Sequence, residues 1–290
     1  MSTFNELNLN KSYNAQQHPF HLVKPSPWPI VVGFAVLMTL ISAVFWFHGR
    51  LEGAGAFLRF MKFGTPVLIL SVCFWLWDVV IEGTFEGRHT FAVQHGLRMG
   101  FALFIVSEIM FFFGFFWAFF YLSISPSIWI GCVWPPLGIQ PINPWGLPLL
   151  NTAILLSSGV TATWAHKAMV AVKVKTISSN AYNARSAVLK ALAATIGLGL
   201  FFTSIQLYEY KNSGFSINDG AYGSLFFMLT GFHGFHVLVG TIFLIVCLLR
   251  HIAYHFTRDH HVGLEAALWY WHFVDVVWIF LYVFLYVLGS

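Results

Sequence analysis

An all-α fold of seven transmembrane helices is predicted for this chain of 290 residues, and three observations lead to it. Hydrophobic residues make up 58% of the chain and charged residues 9%, whereas about a quarter of the residues of a typical soluble domain are charged. The apolar residues lie in runs long enough to cross a bilayer, which takes about 20 helical residues. These runs, such as Pro66–Trp77, lack the alternation of membrane β-strands. The composition argues against a soluble enzyme and excludes a disordered chain.

Seven apolar runs define the predicted spans, and each has the length of a membrane helix. In chain order they are Trp28–Phe47, Phe60–Val80, Arg98–Tyr121, Leu149–Ala171, Val188–Tyr208, Ala221–Leu249 and Ala266–Leu288. Trp28 and Trp46 bracket the first run as interfacial anchors do. In the third run, Gly114 and Ala118 are four residues apart, a spacing that lets two helices approach closely.

The connection Leu122–Pro148 differs from the others, since it holds six of the eleven prolines and no charged residue. So many prolines prevent a continuous helix. The segment is also too apolar for a flexible linker. It is interpreted either as a rigid loop at the membrane interface or as a docking surface for a neighbouring subunit.

Lysine and arginine residues predict the orientation of the spans. The N-terminal segment and the second, fourth and sixth connections carry eleven of them, and the opposite side, which includes Arg50, carries four. Because positively charged loops stay inside, the N-terminus is expected in the cytoplasm or mitochondrial matrix and the C-terminus outside. Residues 1–17 resemble neither a secretory signal nor a transit peptide, so we expect synthesis inside the compartment that uses the protein. No run of basic residues indicates nucleic-acid binding.

Glu108 lies in the third predicted span, about 15 Å along the helix from Arg98 at 1.5 Å per residue. An ionised carboxylate at that depth is costly, so Glu108 is expected to be neutral or partnered, and functional by default. The alternative is a neutral acid that makes a structural hydrogen bond to a neighbouring helix.

The histidines raise the question of metal binding. His233 and His236 lie on one face of the sixth span, and His272 and Asp275 repeat that spacing on the seventh. Membrane di-iron oxygenases use histidine boxes such as HxxHH, but the adjacent pair His260–His261 has no histidine two or three residues before it. The three cysteines form no CxxC motif. We therefore expect no transition metal, and histidines that make hydrogen bonds or contact headgroups.

The residues alone leave two function classes open. A di-iron oxygenase would require bound metal. An ion or proton transporter would require a polar pathway, and its candidate residues are Glu108, His233, His236, His272 and Asp275.

A further cluster combines charges near the ends of two spans. Its members are Asp78, Glu82, Arg88, His89 and Arg250. Basic pockets between helices on the inner side bind anionic lipid headgroups. Solvated loop charges are the alternative.

Seven collinear motifs resemble cytochrome c oxidase subunit III, and its mitochondrial branch most. Together they extend over nearly the whole chain from His18. They are His18–Val32, Phe104–Tyr121, Cys132–Thr152, Leu155–Met169, Asp219–Phe227, Gly231–Arg250 and His260–Ser290.

The resemblance implies a seven-helix fold in a V. Residues 1–27 are then a tail on the matrix side, residues 28–80 a two-helix bundle, and residues 81–290 a five-helix bundle that includes the loop 122–148. It also implies a multi-pass protein of the mitochondrial inner membrane, with its C-terminus in the intermembrane space. The expected partners are subunit I, other complex IV subunits and structural phospholipid in the cleft, with no redox-active cofactor in this chain.

The implied role is support of oxygen reduction and proton translocation by the catalytic subunit, by keeping proton uptake fast and protecting the oxygen site. No catalytic residue is implied. Glu108 matches the family's intramembrane glutamate. Glu82, His89, His236 and Arg250 match positions that contact cleft lipid. The family often has Trp-Trp-Arg-Asp at the end of helix two, whereas this chain has Trp75-Leu76-Trp77-Asp78, without the arginine.

Overall fold

The computed structural model describes residues 18–48, 54–171 and 179–290, and within these ranges the chain forms seven long α-helices and no strand. They are α1 (Trp28–His48), α2 (Ala54–Thr84), α3 (Phe91–Ile124), α4 (Leu147–Ala171), α5 (Ser179–Asn212), α6 (Gly220–Ile252) and α7 (Val262–Phe280). Leu281–Val287 continues α7 as a π-helix. The predicted all-α fold is confirmed. The tail before His18 and the connection at Arg50, both used to predict orientation, lie outside the described residues.

The helices extend beyond the predicted spans because hydropathy detects only the apolar part of a helix. The predicted fifth span began at Val188, whereas α5 begins at Ser179. Residues 179–187 are polar or small, yet the helix includes them. Backbone hydrogen bonding therefore continues where hydropathy no longer indicates membrane.

Six of the seven helices are long and apolar enough to cross a membrane, judged by length and composition. The exception among the described helices is α4, which has the length but carries Asn151, Ser158 and Lys167 among other polar residues. Asn151 and Ser158 are buried inside the protein, so they face other helices and not lipid. The crossing of α4 stays a prediction.

The loop between α3 and α4 contains little regular structure, as its prolines predict. It contains a single 3₁₀ turn, Ile128–Ile130, which ends at Gly131 with a positive φ of 81°. Trp134 fixes the loop to the helices, since its ring packs 5.7 Å from Phe119 and 5.4 Å from Tyr222. The side chain of Trp129, in contrast, is 96% exposed.

The chain divides into two compact units, the first ending at Gly96 and the second running from Leu97 to Ser290. In the first unit, α1 packs along α2. The indole N–H of Trp28 donates to Asp78 Oδ2 at 2.6 Å, and its ring stacks on Phe74 at 5.3 Å. The two helices are thus joined at the end where α1 begins.

The core of the second unit is centred on Trp271, which is fully buried. Its indole N–H donates to Ser158 Oγ on α4 at 2.9 Å. Glycines on two other helices make room for the ring. A Cβ atom added at Gly199 would lie 2.5 Å from Trp271 Cη2, and one at Gly240 would lie 3.0 Å from Cε3. One aromatic side chain therefore determines how closely α5 and α6 approach α7.

Candidate functional site

The central feature of the second unit is a hydrogen bond between Glu108 and His236. Glu108 lies at the middle of α3 and His236 at the middle of α6. Glu108 Oε2 and His236 Nε2 are 2.8 Å apart. The carboxyl side chain is 23% exposed and the imidazole 8%. The structure thus supplies the partner that the sequence predicted for an intramembrane carboxyl group.

The backbone determines which nitrogen of His236 carries a proton. His236 Nδ1 lies 2.6 Å from the carbonyl oxygen of Phe232, one turn earlier on α6. A carbonyl oxygen can only accept, so Nδ1 must be the donor. Nε2 and Glu108 Oε2 then share one further proton. The pair is either a carboxylic acid that donates to a neutral imidazole or a carboxylate that accepts from an imidazolium.

Aromatic side chains surround this pair. The ring of Phe112 lies 5.0 Å from the imidazole in an edge-on contact, and Tyr270 stacks at 6.2 Å with 18° between the planes. Phe273 lies 6.1 Å away. Separating two charges in such apolar surroundings costs several kcal/mol per ion. An ion pair would carry this cost, whereas the neutral pair would not.

His233 does not join His236, although the two lie three residues apart. His233 Nε2 is 3.2 Å from the carbonyl oxygen of Val274 on α7, and its ring packs against Phe202 and Trp278. The two imidazoles therefore have separate partners. Among the described residues, neither belongs to a group of three side chains that could hold a metal ion.

The other transporter candidates pair with each other. His272 Nδ1 lies 3.7 Å from Asp275 Oδ2, and Thr163 Oγ1 lies 3.4 Å from His272 Nε2. The His272–Asp275 contact lies within α7 and the Thr163–His272 contact joins α4 to α7, whereas Glu108 bonds to His236 on α6. The five candidate residues of the transporter alternative therefore make separate contacts with different partners.

In the first unit, Glu82 and His89 are brought together with His21. One ligand atom from each of the three side chains lies within 4.8 Å of the other two. His21 Nδ1 and Glu82 Oε2 are 3.9 Å apart. A Cβ atom at Gly83 would lie 2.5 Å from His89 Nδ1, so glycine permits this approach. His21 was not predicted as a site residue, since it precedes the first helix and no spacing connects it to α2.

The remaining charges of the first unit neutralise one another in part. Glu86 accepts from Lys24 Nζ at 2.8 Å and from Arg88 Nε at 3.1 Å. The hydrogen bond from Lys24 is the main reason that the pKa of Glu86 is lowered. Asp78, bound to the Trp28 indole, joins α1 to α2.

Arg250 lies at the C-terminal end of α6, fourteen residues and about 21 Å along the helix from His236. Its guanidinium carbon is 4.4 Å from the centre of the Phe256 ring. One headgroup cannot reach both side chains. The two predicted lipid-contacting residues on α6, His236 and Arg250, are therefore far apart along the helix. Glu108 is hydrogen-bonded to the first of them.

Comparison with known proteins assigns the chain to one family. The family model described as cytochrome c oxidase subunit III matches residues 18–290. The protein of Branchiostoma lanceolatum named cytochrome c oxidase subunit 3 is 50% identical over 275 residues, covering 95% of this chain and 98% of that protein. Equally named proteins of Scyliorhinus canicula (50% over 275 residues, 95% and 99% covered) and Anopheles gambiae (51% over 273 residues, 94% and 98% covered) are similar. The chain belongs to the cytochrome c oxidase subunit III family.

The resemblance found in the sequence motifs is thereby confirmed. As a member of the subunit III family, this transmembrane protein is a subunit of cytochrome c oxidase, complex IV, and its partners include other subunits of that complex. The Glu108–His236 pair and the His21–Glu82–His89 cluster are therefore polar groups of a respiratory membrane subunit.

Proposed function

We propose that this chain is a subunit of cytochrome c oxidase without a redox centre of its own, which packs against subunit I and supports oxygen reduction and proton translocation there. The observation that carries the proposal is the Glu108–His236 pair, a carboxyl–imidazole hydrogen bond at the middle of two membrane helices. Such a pair holds one exchangeable proton in apolar surroundings. It can influence proton movement nearby.

The histidine environments support the assignment of electron transfer to other subunits. Haem and copper centres are held by imidazole nitrogens whose lone pairs are directed at the metal. At the middle of α6, His236 is engaged by Phe232 and Glu108, while His233 binds the Val274 carbonyl. Metal analysis of the isolated chain is expected to find no iron or copper. Either metal at one atom per chain would contradict the proposal.

Phospholipid is proposed as the structural ligand. The apolar faces of the first helices need a covering, since large side chains such as Phe34, Leu40 and Leu76 are exposed. The His21–Glu82–His89 cluster offers imidazoles to a headgroup phosphate and a carboxylate to a headgroup amine. Arg250 offers a guanidinium, which binds phosphate by charge-assisted hydrogen bonds.

The exposed part of the α3–α4 loop is proposed as a contact for another subunit. Ile128, Trp129 and Leu137 are at least 83% exposed in this chain. Tryptophan is enriched at the centres of protein interfaces. The loop is anchored to the helices by Trp134, so it would present these side chains without a large loss of conformational entropy.

The proposed location is the mitochondrial inner membrane, with the N-terminus in the matrix. The distribution of Lys and Arg supports this orientation. Arg185 near the start of α5 donates to the carbonyl oxygen of His251 at the end of α6, at 2.6 Å, so these two basic helix ends lie on the same side.

The lipid proposal is tested by native mass spectrometry and lipid analysis of the purified complex. Arg250→Gln should lower the amount of retained anionic phospholipid, because a headgroup phosphate loses a charged partner. Arg258→Gln is the matched control, since Arg258 lies exposed in the α6–α7 connection. An unchanged phospholipid complement in the Arg250 variant would assign Arg250 to the alternative of a solvated charge.

A further inference from the structure

A second polar cluster of the second unit lies between the end of α4 and the start of α7. Here a cavity of about 140 Å³ opens between the two helices. Its lining residues are Thr163, His166, Glu265, Leu268, Trp269 and His272. Two imidazoles and a carboxylate thus face a space that is larger than a water molecule.

Two of the lining side chains, His166 and Glu265, form the arrangement of a metal-ligand set together with His261. One ligand atom from each of His166, His261 and Glu265 lies within 4.8 Å of the other two. His261 Nε2 and Glu265 Oε1 are 3.2 Å apart, and the two imidazole rings have centroids 6.0 Å apart. Spacing along the chain does not predict this set, because His166 comes from a different helix.

The backbone orients His261 as a ligand. Its Nδ1 lies 3.1 Å from the carbonyl oxygen of Thr257, so Nδ1 carries the proton and donates. Metal-binding histidines are commonly held in this way, with the other nitrogen directed at the metal. Nε2 is buried, and among the described residues it has no hydrogen-bond partner. The whole side chain is 6% exposed.

The geometry at His261 Nε2 leaves a position that a cation would fill. In the neutral ring, the proton that Nδ1 donates to the Thr257 carbonyl leaves the lone pair on Nε2. The lone pair of Nε2 then faces a carboxylate oxygen at 3.2 Å, and two acceptors at that distance repel each other. A cation between them removes the repulsion.

Arg98 opposes this cation and also positions the carboxylate. Arg98 Nε donates to Glu265 Oε2 at 2.6 Å, and Nη2 donates to Oε1 at 3.2 Å. The carboxylate is thereby held with Oε1 towards His261. The guanidinium charge lowers the affinity for a further cation, while the second lone pair of Oε1 stays available to the cluster.

We propose that His166, His261 and Glu265 form a Zn²⁺ site, with the cavity providing the remaining coordination position for water. Two imidazoles and one carboxylate suit Zn²⁺, which is commonly bound by histidine and carboxylate ligands in a tetrahedral arrangement. Mg²⁺ and Ca²⁺ prefer oxygen ligands throughout. Zn²⁺ carries no electron chemistry, so this site is compatible with a subunit without a redox centre.

The test uses the purified oxidase complex equilibrated with chelator-buffered Zn²⁺. Anomalous diffraction at the zinc edge should place an ion among the three side chains. His166→Gln removes the ligand at the cavity wall and should weaken Zn²⁺ binding at this position about tenfold or more. Even the loss of an outer-shell partner of a metal ligand typically lowers metal affinity by about 10–100-fold. His260→Gln is the matched control, because the neighbouring imidazole lies outside the cluster, and it should bind as the unmodified complex does.

Two results would overturn the proposal. One is the absence of an anomalous peak at the cluster when Zn²⁺ is in excess. The other is equal binding by the unmodified complex and the His166→Gln complex, which would mean that a proton shared by His261 and Glu265 occupies the gap. Recovery of each variant complex with an unchanged visible spectrum shows that the comparison concerns assembled protein.

Discussion

Replacement of Glu108 by glutamine tests where the shared proton of the Glu108–His236 pair lies. If the acid is neutral, it donates to His236 Nε2 across 2.8 Å, and the glutamine amide can donate to the same atom. If the pair is ionic, the amide leaves an imidazolium without its counter-charge. The two alternatives therefore predict different stabilities for the same variant.

The magnitudes separate the alternatives. For the neutral pair, Glu108→Gln exchanges one neutral hydrogen bond for another, so the change in stability should stay within about 1 kcal/mol. Glu108→Ala leaves His236 Nε2 buried and unpaired, at a cost of about 1–3 kcal/mol. For an ion pair, both variants leave a buried charge, and each should cost about 3–5 kcal/mol.

The assay is the temperature at which the chain dissociates from the purified complex, combined with infrared difference spectra of the unmodified protein and the Glu108→Gln variant. We expect the glutamine variant to assemble normally and to lack one carboxylic C=O band. Altered proton uptake or turnover stability should be its only defect. A missing difference band, together with equal destabilisation by glutamine and alanine, would show that Glu108 is ionised and refute the reasoning.

Two further predictions concern the same unit and its packing. A hydrophobic carbodiimide, which reacts with protonated carboxyl groups, should label Glu108 in preference to Glu82, and peptide mass spectrometry of the labelled chain checks this; preferential labelling of Glu82 would contradict it. Gly199→Ala should destabilise the chain by about 1–3 kcal/mol, because the added methyl group overlaps the Trp271 ring. Gly197→Ala, with no atom within 4 Å of the added Cβ, should be neutral or slightly stabilising in the same thermal dissociation assay, and equal effects of the two variants would contradict the packing argument.

Most of the helices could be predicted from the sequence because each carries a long uninterrupted run of apolar residues. Runs of about 20 apolar residues specify a membrane helix with few alternatives. The ends were less predictable. The start of α5 at Ser179 depends on backbone hydrogen bonds that composition does not reveal. In α4, the polar residues Asn151 and Ser158 are buried against other helices, a fact that requires tertiary structure.

The sites could be predicted only in part, for the same reason. The depth of Glu108 follows from its position in an apolar run, so its need for a partner was predictable. The identity of the partner was not, because His236 lies on another helix, and its spacing to His233 suggested a shared role that the structure does not show. His21 and His166 were missed, since a contact between distant segments leaves no local pattern.

The two carboxyl–imidazole pairs of the second unit share one local hydrogen bond but differ in their surroundings. In both, Nδ1 donates to the carbonyl oxygen four residues earlier, Phe232 for His236 and Thr257 for His261, which directs Nε2 at a carboxyl group. At the middle of the membrane helices, aromatic rings surround the pair, and these apolar surroundings disfavour separated charges. At the start of α7, Arg98 keeps Glu265 in its carboxylate form, so Nε2 faces an acceptor. The Arg98 guanidinium thus distinguishes the two pairs, and the pair beside it is the one that we propose to bind a cation from solution.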